Sequence, residues 1–382
     1  MSQWTKNAVI AFISLIIIQV SLAGAFKIAQ NSDKSYPFSP SALLIVSEVI
    51  KLVLSAIFYS SSSDNPSFYA ACSNLLQSSA AMPIFLLAVL YCANNNLTFL
   101  LFQMADGANI SLFKVGSTFI SAILLRFVLG RSISFNQGSA IVIQVAGLLV
   151  VQFASSCEMN TPILQPLAYI LLLTSVLITS ICGVWNDFIM KSNPDISLHI
   201  INAILYLFGF LLNISAFIVF TAQLDVSKLS TVTEGFFHLR SLPVLFFNSI
   251  IGISISAVYK YLDASMKTFA AACATSILFL MNILIYGEQF RILILLGCVC
   301  VFMSTQIYIS SALPILDPTQ EAPKSVIATV KKFKCAIPYR VVIFVATTIL
   351  VSLLAFYQFS IGESSMHFRS KASYFYQNKT YN

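Results

Sequence analysis

The chain has 382 residues, of which 58% are hydrophobic and only 9% are charged. Soluble globular domains have about a quarter of their residues charged, so this composition excludes an ordinary water-soluble protein. The formal charge of +7 comes from 21 basic and 14 acidic residues, and in a membrane protein their positions in the loops matter more than their sum. The composition predicts an all-α polytopic membrane protein.

Apolar segments of about 20 residues recur along the chain, and a helix of that length crosses a hydrocarbon core of about 30 Å. Eleven such segments are predicted, at residues 9–26, 41–60, 81–104, 109–129, 138–153, 164–189, 196–220, 242–261, 268–286, 293–311 and 341–359. The loops leave no room for a separate soluble domain. The predicted parts are a membrane domain at 1–312, a basic linker at 313–340, an additional transmembrane helix at 341–359 and a tail at 360–382.

Basic loop residues predict the orientation, because cytosolic loops are enriched in Lys and Arg. With Lys6 in the cytosol, Arg131, Lys191 and the basic cluster at 324–340 are cytosolic as well. Three other basic residues fall on the luminal side in this arrangement: Lys228, Arg240 and Arg291. The basic linker sends the C-terminal tail to the lumen, where the sequon at Asn378 is a candidate glycosylation site.

Two places share a pattern of apolar span, glycine, charged residue and second apolar span: FVLGRSISF around Gly130 and LIYGEQFRI around Gly287. They lie 157 residues apart, with five spans between equivalent positions. An odd number of spans inverts the second copy, as in many secondary transporters with a site near the membrane midplane. The spacing predicts a ten-helix core of two inverted five-helix repeats, at about 8–155 and 162–312, with the eleventh helix outside it.

Polar side chains inside the predicted spans are costly in a membrane and mark candidate sites. Glu48 and Lys51 are three residues apart in the second span, so they can neutralise each other on one helix face in either a structural or a functional role. Asn94, Asn95 and Asn96 point in three directions around the third span. At least one of these amides must therefore face a partner helix or a polar cavity.

Later spans carry further polar residues. Lys114 is deep in the fourth span, and Asp187 and Lys191 form an i,i+4 pair of structural type at the end of the sixth. Asn202 and Tyr206 share a face of the seventh span, one turn apart. An amide and a phenol on one stripe are groups that can bind or stack on a nucleotide base.

The run AVYKYLDASMKTFAAA places Lys260, Asp263 and Lys267 in an otherwise apolar stretch. On one continuous helix the two lysines would share a face, with Asp263 between them. The alternative is a boundary between two spans, with Lys260 reaching the interface and Asp263 paired with Lys267.

Lysines outnumber acidic residues inside the predicted spans. Each unpaired lysine removed from water needs a counter-charge, which predicts an anionic ligand, and phosphate suits lysine. Amides and aromatic rings nearby suit a planar base, so a nucleotide satisfies both requirements. The cations concerned are Lys51, Lys114, Lys260 and Lys267.

Six blocks in this chain resemble, in order, those of the nucleotide-sugar transporter family, which includes CMP-sialic acid, UDP-galactose and UDP-N-acetylglucosamine carriers of the drug/metabolite transporter superfamily. The blocks cover about residues 8–311: SEVIKLVLS, NNLTFLLFQMADGA, LLRFVLGRSIS, GVWNDFIMKSNPDISLHIINAILYLFG, SAVYKYLDASMKTFAAA and LGCVCVFMSTQIY. The resemblance implies ten helices in two inverted units, a central site, and exchange of a luminal nucleoside monophosphate for a cytosolic nucleotide sugar.

The resemblance implies a charged pair of Glu48 and Lys51 and substrate contacts at Asn95, Asn202, Tyr206, Lys260 and Lys267, whereas Asn94 and Lys114 are candidates from their positions in the spans. The candidate binding residues are Lys51, Asn94, Asn95, Lys114, Asn202, Tyr206, Lys260 and Lys267. The candidate helix-pairing or gating residues are Glu48, Asp106 and Asp263. The fourth span departs from the family pattern: the family's tyrosine falls on Ile110 and its lysine on Ser117, while Lys114 lies about one turn earlier. The family's glycine pair in the eighth span is reduced to Gly252.

The predicted function is nucleotide-sugar antiport in the Golgi or endoplasmic reticulum membrane, with the N-terminus cytosolic and the C-terminus luminal. Export of another anionic metabolite and a non-transporting regulator that anchors Golgi glycosyltransferases are the alternatives left open, and so is a homodimer. Membrane lipid surrounds the protein, and no nucleic-acid partner is predicted. No enzyme, cofactor or metal site is predicted, because the three histidines are scattered and no hydrolase motif is present.

Overall fold

A computed structural model of the protein describes residues 3–30, 36, 38–61, 67–104, 107–128, 130, 133–156, 166–221, 239–286 and 291–316. Every regular element in these ranges is helical, which confirms the all-α class. Several predictions lie outside the described residues: Asp106, the linker beyond Leu316, the additional helix at 341–359, and the tail with Asn378.

The described ranges contain eleven α-helices: α1 (Gln3–Ala29), α2 (Pro40–Ser60), α3 (Phe68–Gln77), α4 (Ala81–Met104), α5 (Gly107–Val128), α6 (Phe135–Ser156), α7 (Pro166–Ser192), α8 (Leu198–Ala216), α9 (Leu242–Tyr261), α10 (Ala264–Tyr286) and α11 (Ile292–Leu316). Helix α8 continues into a π-helical turn at Phe217–Thr221. All but α3 correspond to the first ten predicted spans, and α4 and α9 match their predicted boundaries at both ends.

Nine of the described helices are long and apolar enough to cross a membrane, namely α1, α2, α4 and α6 to α11. Helix α5 has 22 residues and lies in the same bundle, against α6, α7 and α10. Helix α3 was not predicted and, with 10 residues, is too short to span a bilayer. Its buried Leu75 and the contact of Phe68 with the Tyr59 ring, 5.9 Å between centroids, hold it beside α2. The protein is thus a multi-pass membrane protein.

Glycine permits the closest helix contact, between α6 and α11. A Cβ atom added at Gly147 would lie 2.9 Å from the Gly297 carbonyl oxygen, and one added at Gly297 would lie 2.7 Å from the Gly147 carbonyl oxygen. The two backbones therefore touch directly, as small residues allow in membrane helix pairs. At the same interface, the Arg291 guanidinium donates to the Ala154 carbonyl near the end of α6.

The remaining helices enclose a polar interior. Helix α2 packs along α8, and α9 contacts both of them. Helices α4 and α7 pack against each other, with α4 also against α8 and α7 also against α9. This arrangement brings buried polar side chains from five helices together, although those side chains are far apart in the sequence.

Candidate substrate site

A buried ion pair on α2 anchors the site. Lys51 Nζ lies 2.9 Å from Glu48 Oε1, and the two side chains are only 12% and 10% exposed. The i,i+3 spacing on one helix face brings the charges together, as the sequence predicted. Because each charge compensates the other, the pair can remain ionised away from water.

Two glycines make room for this pair. A Cβ atom added at Gly209 of α8 would lie 3.0 Å from Glu48 Oε2. One added at Gly252 of α9 would lie 2.9 Å from the Tyr206 hydroxyl and 3.4 Å from Lys51 Cδ. The space around the ion pair therefore depends on the absence of side chains at these two positions.

Helix α8 contributes buried groups that can bind a ligand. Asn202 Oδ1 accepts a hydrogen bond of 2.7 Å from Ser256 Oγ of α9, and Lys51 Nζ lies 5.6 Å from the centroid of the Tyr206 ring. Asn202 Nδ2 has no hydrogen-bond partner among the described residues, and the buried Tyr206 hydroxyl lies beside Ser256 of α9. A buried unsatisfied polar group costs about 1–3 kcal/mol, so the Asn202 amide is suited to a polar ligand.

The three asparagines of α4 have different surroundings. Asn94 Oδ1 accepts hydrogen bonds from two hydroxyls of α7, Ser175 at 3.3 Å and Thr179 at 3.2 Å. Asn96 Nδ2 donates to the Cys92 carbonyl of its own helix at 2.8 Å. The prediction that one amide faces a partner helix is confirmed by Asn94, and Asn95 is half-buried beside it.

A second polar cluster joins α4, α7 and α9. Asn186 Nδ2 donates to the Tyr91 hydroxyl at 3.2 Å, and the predicted pair of Asp187 with Lys191 is present at 2.6 Å. Tyr259 is fully buried, and a Cβ atom added at Gly183 would lie 3.2 Å from its hydroxyl oxygen. This cluster borders the α8–α9 face of the site.

Lys114 of α5 and Lys267 of α10 form a cationic part of the interior. Neither has an acidic partner within the part of the chain that the structure describes, and they are near enough for their charges to interact. The Lys114 side chain is exposed, whereas Lys267 is half-buried. Two ammonium groups close enough to repel each other are suited to binding an anion.

The structure describes the two positions at which the fourth span departs from the family pattern. Ile110, where the family has tyrosine, is 2% exposed within the hydrophobic core. Ser117 Oγ donates to the Lys114 carbonyl at 2.7 Å, and the Ser117 carbonyl accepts from Ser180 of α7 at 3.2 Å. Lys114 lies about one turn before Ser117 on the same helix, and its side chain is exposed.

Lys260 and Lys267 do not share one helix, because α9 ends at Tyr261 and α10 begins at Ala264. The continuous-helix interpretation is wrong, and the boundary between two spans is confirmed. The pairing of Asp263 with Lys267 is not confirmed, because Lys267 has no acidic partner in the described ranges. Lys260 Nζ lies 3.5 Å from the Ile196 carbonyl in the connection between α7 and α8.

Asp263 caps the start of α10. Its Oδ1 accepts a hydrogen bond of 2.7 Å from the Met266 amide, and its Oδ2 accepts one of 3.3 Å from the Tyr308 hydroxyl. A carboxylate at a helix N-terminus satisfies free amide groups and interacts favourably with the helix dipole. These contacts account for a buried carboxylate at the boundary.

Two helix stripes complete the site, and several of their residues were not predicted from the sequence. On α8, Gly209 follows Asn202 and Tyr206 at i,i+4,i+7 spacing; on α9, Ser256 and Tyr259 follow Gly252 at the same spacing. Residues at this spacing share one helix face. The repeated pattern of small and polar residues is the signal that could have identified Gly209, Ser256 and Tyr259. No pattern in the sequence singles out Tyr91.

The chain is similar to known transporters over most of its length. A family model described as "Nucleotide-sugar transporter" matches residues 4–309. The chain is 28% identical over 304 residues to "CMP-sialic acid transporter 5" of Oryza sativa subsp. japonica, covering 77% of this chain and 74% of that protein. It is 26% identical over 305 residues to "CMP-sialic acid transporter 3" of Arabidopsis thaliana, covering 76% and 73%.

A solved structure described as "Crystal structure of protein" shares the fold, with a TM-score of 0.59 and 13% identity, over 80% of this chain and 98% of that one. The family match spans more than three quarters of the chain and includes every helix of the site. The chain therefore belongs to the nucleotide-sugar transporter family.

Proposed function

We propose that the protein exchanges a cytosolic nucleotide sugar for a luminal nucleoside monophosphate across the Golgi or endoplasmic reticulum membrane. The observation that carries this proposal is the combination of Lys114 and Lys267, which have no acidic partner among the described residues, with the buried Tyr206 phenol and the Asn202 amide, whose Nδ2 also lacks a partner there. Lysines suit phosphate, and the amide and phenol suit a base or ribose.

Individual roles follow from these positions. Lys51, Lys114 and Lys267 bind phosphate at different stages of the cycle, while Asn95, Asn202 and Tyr206 contact the base or ribose. Glu48 keeps Lys51 compensated when the site is empty. Asn94, bonded to α7, and Lys260, at the end of α9, act at the border of the site.

The ten spanning helices form two inverted repeats in this proposal, α1, α2 and α4–α6 against α7–α11. Helix pairing supports this division: α2 packs along its counterpart α8, and α6 along its counterpart α11. Helices α4 and α5 correspond to α9 and α10 in this division. Helix α1 packs against α9 and α10, and its counterpart α7 packs against α4 and α5. Rocking of one repeat against the other would open the site to each side in turn.

A pyrimidine nucleotide sugar is the proposed substrate class, because the curated relatives are named as CMP-sialic acid transporters. The base-facing part of α5 differs here, since Ile110 is in the hydrophobic core. Base and sugar selectivity therefore depend on α4, α8 and α9 in this protein. We place the N-terminus in the cytosol and the C-terminus in the lumen.

Purified full-length protein in liposomes tests this function. Vesicles loaded with CMP, UMP or GMP are given radiolabelled CMP-sialic acid, UDP-sugars or GDP-sugars, and uptake is measured with and without the internal monophosphate. We expect a pyrimidine nucleotide sugar to enter, and its entry to require the matching monophosphate inside. Thermal unfolding shows whether the reconstituted protein is folded. If folded protein exchanges none of these pairs, the proposal is contradicted.

A further inference from the structure

A lateral groove of about 420 Å³ lies between α1, α10 and α11, and none of the proposed substrate-binding residues lines it. Its apolar lining includes Phe12 of α1, Ile277 of α10 and Phe302 of α11. Gln306 and Ser310 of α11 contribute polar groups to the same groove. Since all three helices have membrane-spanning length, the groove faces the bilayer.

The outward face of α11 changes character along its length. Val299, Phe302 and Met303 are exposed there and suit contact with lipid tails. Gln306, further along the same helix, is exposed, and its amide has no hydrogen-bond partner in the described part of the chain. Lipid tails cannot satisfy an amide, whereas a polar side chain of a neighbouring helix can.

We propose that residues 341–359 of this chain cross the membrane as a helix and pack into this groove against α11. The segment VVIFVATTILVSLLAFY is long enough to cross a thin bilayer, and 24 residues separate it from the end of α11. A linker of that length reaches about 80 Å when extended, so it can bring the segment back to the face of the helix that precedes it.

The depth of the polar groups matches between the two helices. Gln306 lies six residues before Ala312, where the span of α11 ends, and Thr348 lies seven residues after Val341, where the next apolar segment begins. At 1.5 Å per residue, both side chains lie about 9–11 Å from the membrane edge on the linker side. An antiparallel helix pair therefore places the Thr348 hydroxyl opposite the Gln306 amide.

The proposed segment also has a suitable contact face. Thr348, Ser352 and Ala355 follow one another at i,i+4,i+7 spacing. They share one side of a helix, and small residues allow close approach of membrane helices. This face fits beside the large Phe302 side chain, whereas the bulkier residues of the segment would then face lipid.

Photo-crosslinking of the full-length protein in membranes tests the proposal without altering its eight cysteines. p-Benzoyl-phenylalanine is placed at Gln306, or as a matched control at Val53, an exposed α2 residue seven positions before Ser60 and so at a similar depth. We expect an adduct from position 306 to the peptide 341–359 of the same chain, at monomer mass, and none from position 53.

Other occupants give different products. An adduct to lipid alone, an adduct at twice the monomer mass, or no adduct to 341–359 from position 306 overturns the proposal. A second measurement uses Gln306→Cys with Thr348→Cys in a chain whose native cysteines are replaced. A protease site engineered into the linker then allows the chain to be cut between α11 and residues 341–359. After oxidation and cleavage, the disulfide is expected to hold these two fragments together, whereas Val53→Cys with Thr348→Cys is expected to leave them separate.

Discussion

Replacement of Gly252 by alanine is the most direct test of how the site is built. The added Cβ would lie 2.9 Å from the Tyr206 hydroxyl and 3.4 Å from Cδ and Cε of Lys51. The lysine stem is flexible, but the hydroxyl ends a rigid ring that is 5% exposed. The ring or α9 must therefore shift by several tenths of an ångström, and such overpacking costs about 1–3 kcal/mol.

The shift affects binding as well as stability, because Tyr206 and Lys51 are both proposed ligand contacts. If a comparable amount of binding energy is lost, KM rises roughly tenfold or more, since 1.4 kcal/mol is about a factor of ten in affinity. Exchange kinetics in liposomes and thermal unfolding in detergent measure the two effects. Gly24→Ala is the matched control, because a Cβ there meets no atom within 4 Å.

A double mutant identifies the contact that is responsible. Tyr206→Phe removes the hydroxyl that the new methyl group meets, so Gly252→Ala should cost less stability in that background than in the wild type. An equal loss of Tm in both backgrounds would refute the reasoning, because the clash would then lie elsewhere. A Gly252→Ala protein with wild-type KM would equally exclude Gly252 from the site.

Four further predictions concern other parts of the molecule. Glu48→Gln leaves Lys51 buried without its counter-charge and should lower the free energy of unfolding by about 3 kcal/mol. The double mutant Glu48→Gln/Lys51→Gln should recover part of this loss, which chemical unfolding of the four proteins in a double-mutant cycle measures. Lys267→Gln relieves the repulsion with Lys114, so Tm should not fall while KM rises about 10- to 100-fold. A fall in Tm together with weaker binding would indicate a structural role instead. Gly297→Ala should lower Tm by forcing α6 and α11 apart, unlike Gly138→Ala, where a Cβ meets nothing within 4 Å; equal Tm values would contradict the close contact. Exchange should not respond to a 100 mV potential set with valinomycin, whereas net movement of one charge would bias it by about 2.3 kcal/mol.

The helices were largely predictable because a membrane span is encoded locally. A run of about 20 apolar residues is enough to predict a spanning helix, and α4 and α9 follow their predicted boundaries. The break between α9 and α10 was predicted as the gap between the spans 242–261 and 268–286, but AVYKYLDASMKTFAAA contains neither proline nor glycine to fix where α10 begins. Helix α3 was not predicted, because ten residues of mixed polarity resemble a loop.

The site was predictable only where it depends on a single helix. Glu48 and Lys51 are three residues apart, so helix geometry alone brings them together. The hydrogen bond from Ser256 to Asn202 joins residues 54 positions apart, and no local rule relates them. The role of Gly209 likewise depends on which side chain of α2 faces it, because glycine is frequent in membrane helices.

The charges of the interior suggest why the proposed transporter would exchange its ligands rather than release one and return empty. Glu48 and Lys51 neutralise each other when the site is empty, so this pair can close without a bound anion. Lys114 and Lys267 have no acidic partner in the described ranges, and closing the site around them without an anion would desolvate two like charges. A nucleoside monophosphate carries about two negative charges at neutral pH and compensates both. In the proposed transporter the empty carrier would therefore have the higher barrier to closure, and a bound anion would be required for the site to change sides in either direction.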